Sequence, residues 1–87
     1  MLKTVTKEQI DNLIKKSEKE VFHRVFGKQC VVIIKLENGF TVVGESACVD
    51  SSNYDEKIAY DIAVKSIEKR LWELEGYLLQ TRLRGKA

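Results

Sequence analysis

Three stretches of patterned hydrophobicity organise the chain. From Val5 onward, Ile10, Leu13, Ile14, Ser17, Val21 and Val25 recur at spacings of three and four, the stripe of an amphipathic helix. Thr6 stands three residues ahead of Gln9, a capping box, and Val5 with Ile10 occupies the flanking staple positions. Gly27 is placed to stop this helix, with Arg24 and Lys28 complementing its dipole. The pattern therefore predicts a first helix running from just after Thr6 to just before Gly27.

The period then changes. Val31 to Leu36 is β-branched and apolar, and Phe40 to Val43 repeats that character after Asn38-Gly39, a strong signal for a two-residue type I′ hairpin. Such a turn sets Glu37 opposite Phe40, Ile34 opposite Val43 and Val32 opposite Glu45. One face then holds Cys30, Val32, Ile34, Leu36, Val43 and Ala47, and the other Val31, Ile33, Phe40, Val42 and Cys48. Both faces are apolar, whereas a hairpin covered on one side alternates apolar with polar. Two helices of one small chain scarcely suffice to cover both, so the pattern predicts a homo-oligomer that completes the sheet.

A long second helix follows, with Ile58, Ile62, Ile67, Leu71, Leu74 and Leu78 in helical period, running to about Leu83 before Gly85. Either Asp50 or Asn53 can cap it. Gly76 interrupts it, which suggests a kink or the close approach of another backbone. The expected architecture is one α+β domain over residues 1–87: N-terminal helix, β-hairpin, long C-terminal helix (αββα), completed by oligomerisation.

Composition narrows the function. The 87 residues carry 15 Lys+Arg and 13 Asp+Glu, a net charge of +2, which argues against strong nucleic-acid binding. With 44% apolar and 32% charged residues and no proline, the chain is globular in character. No apolar run approaches the roughly 18 residues of a membrane span, and the first 20 residues are too charged for a signal peptide. The two cysteines read as reduced thiols, on opposite faces of the hairpin and so unsuited to a disulfide.

Candidate chemistry is sparse. His23, the one histidine, has no Cys, Asp or Glu at ligand spacing and reads as a helix-surface residue, so no metal or other cofactor is expected. Ser46 has no base nearby for hydrolase chemistry. Nothing points to an enzyme. Gly44-Glu45-Ser46 breaks an apolar strand. Gly44 marks either a bulge or a place where a ligand or backbone approaches closely, with Glu45 and Ser46 then able to read a base edge. Asn53, Tyr54 and Lys57 open the second helix, where capping is the plain explanation and an anion site with a stacking ring the functional one. Trp72 and Tyr77 complete a core or an oligomer seam, or else form a platform for a planar ligand.

The run NGFTVVGESACVD (Asn38 to Asp50), then NYDEKIAYDIA and LWELEGYLL, resembles a family of small phage proteins, the gene product 49 / gene 66 family. The likeness covers about residues 30–79. It departs from the family pattern at Ser51, where proline is usual, and at Tyr54, where phenylalanine is. The resemblance implies a phage accessory protein of the host cytoplasm and brings no enzymatic activity with it. By analogy with other small oligomeric phage proteins, the expected role is a counter-defence sponge. It would sequester a cyclic oligonucleotide in intersubunit pockets formed by Glu45, Ser46, Asn53, Tyr54, Lys57, Trp72 and Tyr77. The alternative is an inhibitor that binds a host defence protein through an exposed apolar sheet face.

Overall fold

A computed structural model describes residues 4–85. Its elements are α1 (Lys7–Lys15), β1 (Glu18–Val25), β2 (Gln29–Lys35), β3 (Thr41–Ala47), a single 3-10 turn (Ser51–Asn53) and α2 (Glu56–Arg84). The strands form one antiparallel sheet in the order β1-β2-β3. The fold is α+β, with the expected helices at either end of the chain and one strand more than the hairpin predicted.

The extra strand comes from the second half of the predicted first helix. The capping box at Thr6 and Gln9 is present, with reciprocal bonds of 3.2 and 2.8 Å. Yet α1 ends at Lys15, where the Ser17 backbone N–H and hydroxyl both donate to the Ile14 carbonyl. Val21 and Val25 fit a helical spacing by coincidence. Their spacing of four fits period two equally well, and Val21, Phe22 and Val25 favour the pleated alternative once β2 offers a ladder.

The hairpin register also differs, by one residue. Leu36 donates to Phe40 O at 2.8 Å and Gly39 donates to Leu36 O, so the loop has three residues, with Gly39 left-handed at φ 92°. This is the bulged loop rather than the two-residue turn, and Asn38 Oδ1 secures it by accepting from Phe40 N. Ile34 therefore pairs with Val42 and Val32 with Gly44. A one-residue slip exchanges the faces of a strand. Val42, rather than the expected Val43, shares the buried face with Val32 and Ile34, Val43 is exposed on the other, and Cys48 falls in the same alternation as Cys30; both thiols are free.

The core lies between the sheet and the helices. Ile10 from α1, Cys30, Val32, Ile34 and Val42 from the sheet, and Ala59, Ala63, Ile67 and Leu71 from α2 form one buried cluster. Gly44 sets the depth of the α2 contact. A Cβ there would lie 2.1 Å from the Ala63 carbonyl oxygen and 2.6 Å from Ile67 Cγ1, so the strand glycine admits the helix backbone directly. The close approach is therefore intramolecular, and β3 carries no bulge at this position. One helical turn away, Ser46 Oγ donates to Ala59 O at 2.7 Å.

Neither Asp50 nor Asn53 caps α2. Asp50 caps the 3-10 turn by accepting from Ser52 N, and Asp55 caps α2 by accepting from Lys57 N and Ile58 N. The helix continues through Gly76, where nothing lies within 4 Å of the absent side chain.

Gly44→Ala is expected to destabilise the fold by about 3 kcal/mol, because its methyl must displace helix backbone rather than a flexible side chain. Urea denaturation measures it. A loss under about 0.5 kcal/mol would show that the helix and strand do not meet this closely.

Candidate functional site

A polar cluster sits where the end of β1 meets the residues that lead into α2. Phe22 pairs with Val31 and Val25 with Gln29, so β1 carries one residue more than β2 between these pairs. This bulge swings the chain through left-handed conformations at Arg24 (φ 56°) and Phe26 (φ 54°), uncommon for residues with a Cβ. Its effect is to aim His23 and Arg24 at Tyr54. The Tyr54 hydroxyl lies 2.7 Å from His23 Nδ1, the two rings meet edge to face at 5.9 Å, and the Arg24 guanidinium stands over the Tyr54 ring at 4.7 Å. Cation–π attraction offsets part of the cost of the bend. His23 is thus a cross-element partner and not the helix-surface residue that its neighbours in sequence suggested.

Burial is the main cause that pushes the Tyr54 phenol above its ordinary value of 10.0. The backbone N–H of Ser52, with its side chain adding to the effect, holds the exposed Asp50 carboxyl below its usual 3.8.

Three of the seven residues singled out in the sequence come together. Ser46, Asn53 and Tyr54 line a groove of about 90 Å³ between the end of β3 and the first turns of α2, with Asp55, Ile58 and Ile62 as its outer wall. The other four lie elsewhere. Glu45 is on the opposite sheet face, where it accepts from Gln29 Nε2 at 3.2 Å. Lys57 is exposed on the first turn of α2. Trp72 and Tyr77 are also exposed, and at 1.5 Å rise per residue they stand about 25 and 33 Å along α2 from Asp55.

The sequence reading missed a larger groove. It measures about 350 Å³ and runs between the start of β3 and the middle of α2, lined by Phe40, Thr41, Val43, Ser66, Lys69 and Arg70 among others. Its signal was the spacing of Ile58, Ile62, Ser66, Lys69 and Glu73, a helix flank parallel to the buried stripe.

The reverse sheet face has no covering element among the described residues. Phe22, Val31, Ile33 and Val43 form its apolar centre, with Phe22 47% and Val43 54% exposed. Glu18, Glu20 and Glu45 stand around them against Lys35, which bridges Glu18 at 3.2 Å. No group of three potential metal ligands occurs among the described residues, and no described helix is long and apolar enough to cross a membrane.

Tyr54→Phe removes the bond to His23 and is expected to cost about 1 kcal/mol. Because the folded phenol holds its proton more tightly than the unfolded one, its contribution is fully present below pH 10.0 and is lost as pH rises through the higher folded value. Alkaline denaturation of the two proteins compares them: wild type should lose stability more steeply above pH 10.0 than Tyr54→Phe, and parallel curves would refute the linkage.

No curated protein and no solved structure matches the chain. A family model does, over residues 5–83, so the match includes α1 and β1 as well as the stretch whose motifs resemble the family. The chain belongs to the Phage protein (N4 Gp49/phage Sf6 gene 66) family.

Proposed function

We propose that the chain is a non-catalytic phage accessory protein that binds a host defence protein in the host cytoplasm through the open sheet face. The observation that carries this reading is the uncovered apolar centre of Phe22, Val31, Ile33 and Val43. Apolar side chains on an open antiparallel face imply an occupant. The acidic rim of Glu18, Glu20 and Glu45 opposes a second copy stacked face to face, since like charges would meet. It suits a partner with an apolar centre and a basic rim.

A second reading keeps the cyclic-oligonucleotide sponge but moves its site. The groove of Ser46, Asn53 and Tyr54 is well below the roughly 300–1,000 Å³ of small-molecule pockets, and Tyr54 is already engaged by His23 and Arg24. The 350 Å³ groove offers Lys69 and Arg70 for phosphate and Phe40 for a base.

The test compares wild type with Phe22→Glu and Ile62→Glu as baits in host lysate, followed by native mass spectrometry with a panel of cyclic di- and trinucleotides. A host protein recovered by wild type and Ile62→Glu, released by salt and lost with Phe22→Glu, is the expected result. Recovery that ignores Phe22→Glu would overturn it. Nucleotide retained at fixed stoichiometry, and lost in Lys69→Ala/Arg70→Ala, would favour the second reading instead.

A further inference from the structure

The two edges of the sheet are treated differently. At one edge, β1 carries the charge run Glu18-Lys19-Glu20 and a bulge at His23–Arg24, the usual means of discouraging strand addition. At the other edge, β3 has neither. It is seven residues long, without proline, bulge or lysine, and Glu45 is its one charge. The bonds Leu36 N to Phe40 O and Cys48 N to Lys28 O bracket its ladder with β2 and assign the even-numbered residues to that pairing. The N–H and C=O groups of Thr41, Val43, Glu45 and Ala47 therefore point away from the sheet, and all four residues are exposed.

From the bare β3 edge and the α2 flank above it, we infer that the chain forms a two-fold dimer by antiparallel β3–β3 pairing, with the flanks of α2 closing over the seam. Full overlap of Thr41–Ala47 with itself centres the axis on Gly44. Above that strand, α2 runs in the opposite direction: Ser46 lies at Ala59, Gly44 at Ala63, and the start of β3 beside Ser66 and Lys69. The same axis thus sets the first half of α2 against the partner's middle. Ile58 and Ile62, 59% and 51% exposed on this flank, then meet Ser66 and the Lys69 stem. Charge is complementary, since Asp55, Glu56 and Asp61 outnumber Lys57 between Asp55 and Asp61, while Lys65, Lys69 and Arg70 outnumber Glu68 and Glu73 between Lys65 and Glu73.

The seam draws on the β3 edge and the Ile58–Ile62 flank, apart from the distal turns of α2 that overhang the sheet and give the molecule its 55 Å length. Pairing through β3 leaves the apolar sheet face uncovered and doubles it, so this dimer and the host-protein reading stand or fall separately.

Sedimentation equilibrium of the full chain should give twice 10.0 kDa. Ile62→Glu, at an exposed site, should weaken the dimer about tenfold or more, and Glu45→Pro, which deletes an outward N–H without touching the β2 ladder, should do the same. Amide exchange at Val43 and Glu45 should be slow in wild type and fast in Ile62→Glu, with circular dichroism unchanged. A wild-type monomer throughout the micromolar range, or a dimer with fast exchange at Val43 and Glu45, would overturn the inference.

Discussion

The close approach of α2 to β3 at Gly44 is the constraint on which the rest of the structure depends. A helix normally rides on a sheet at the distance its side chains set. Here the strand supplies no side chain and the helix supplies Ala59 and Ala63, so backbone meets backbone. That depth lets Ser46 reach the Ala59 carbonyl and lets Ile67 and Leu71 fill the space over β2 and β3. It also fixes the direction of α2. Because the anchor is near the start of a helix of 29 residues, the distal turns carrying Tyr77 and Leu78 extend beyond the core and give the molecule its 55 Å length.

The β1–β2 bend is the second fixed point, and it depends on the first. Tyr54 follows the 3-10 turn and precedes the α2 cap, so its position is set once α2 is seated on β3. The bulge in β1 then turns His23 and Arg24 toward that ring. Left-handed backbone at two residues with side chains costs free energy, which the hydrogen bond and the cation–π contact offset. The turn chemistry of the first strand and the cap region of the second helix are thereby one unit, although 31 residues separate His23 from Tyr54.

These dependencies explain what was legible in the sequence. Local signals transferred well: the Thr6–Gln9 capping box, the Asn38-Gly39 turn and the long period of α2 each rest on neighbours in the chain. Gly44 announced itself as a close approach or a bulge, and only the fold could say that α2 is what approaches. The errors share a cause. Val21 and Val25 fit two periods at once, and the choice between them was made by β2, which a local pattern does not see. The register slip came from assigning Gly39 to a two-residue turn when its left-handed φ serves a three-residue loop equally well. Of the candidate residues, Ser46, Asn53 and Tyr54 converge because the α2 contact brings them together, whereas Glu45, next to Ser46 in the same strand, necessarily faces the opposite side of the sheet.

The arrangement of polar and apolar surface follows from the fold's economy. Three strands and one long helix can bury a single sheet face, and the core of the described residues is confined to it. The chain nevertheless spends apolar residues on the reverse face and on the α2 flank above β3, while the β1 edge carries the charge run Glu18-Lys19-Glu20. Stability of the single chain does not require Phe22, Val43, Ile58 or Ile62 to be apolar, since each is at least 47% exposed. A sequence free to vary would solubilise such positions at little cost. Their apolar character is therefore better understood as a property of contacts made outside the chain, one set through a sheet face with an acidic rim and one along a bare strand edge.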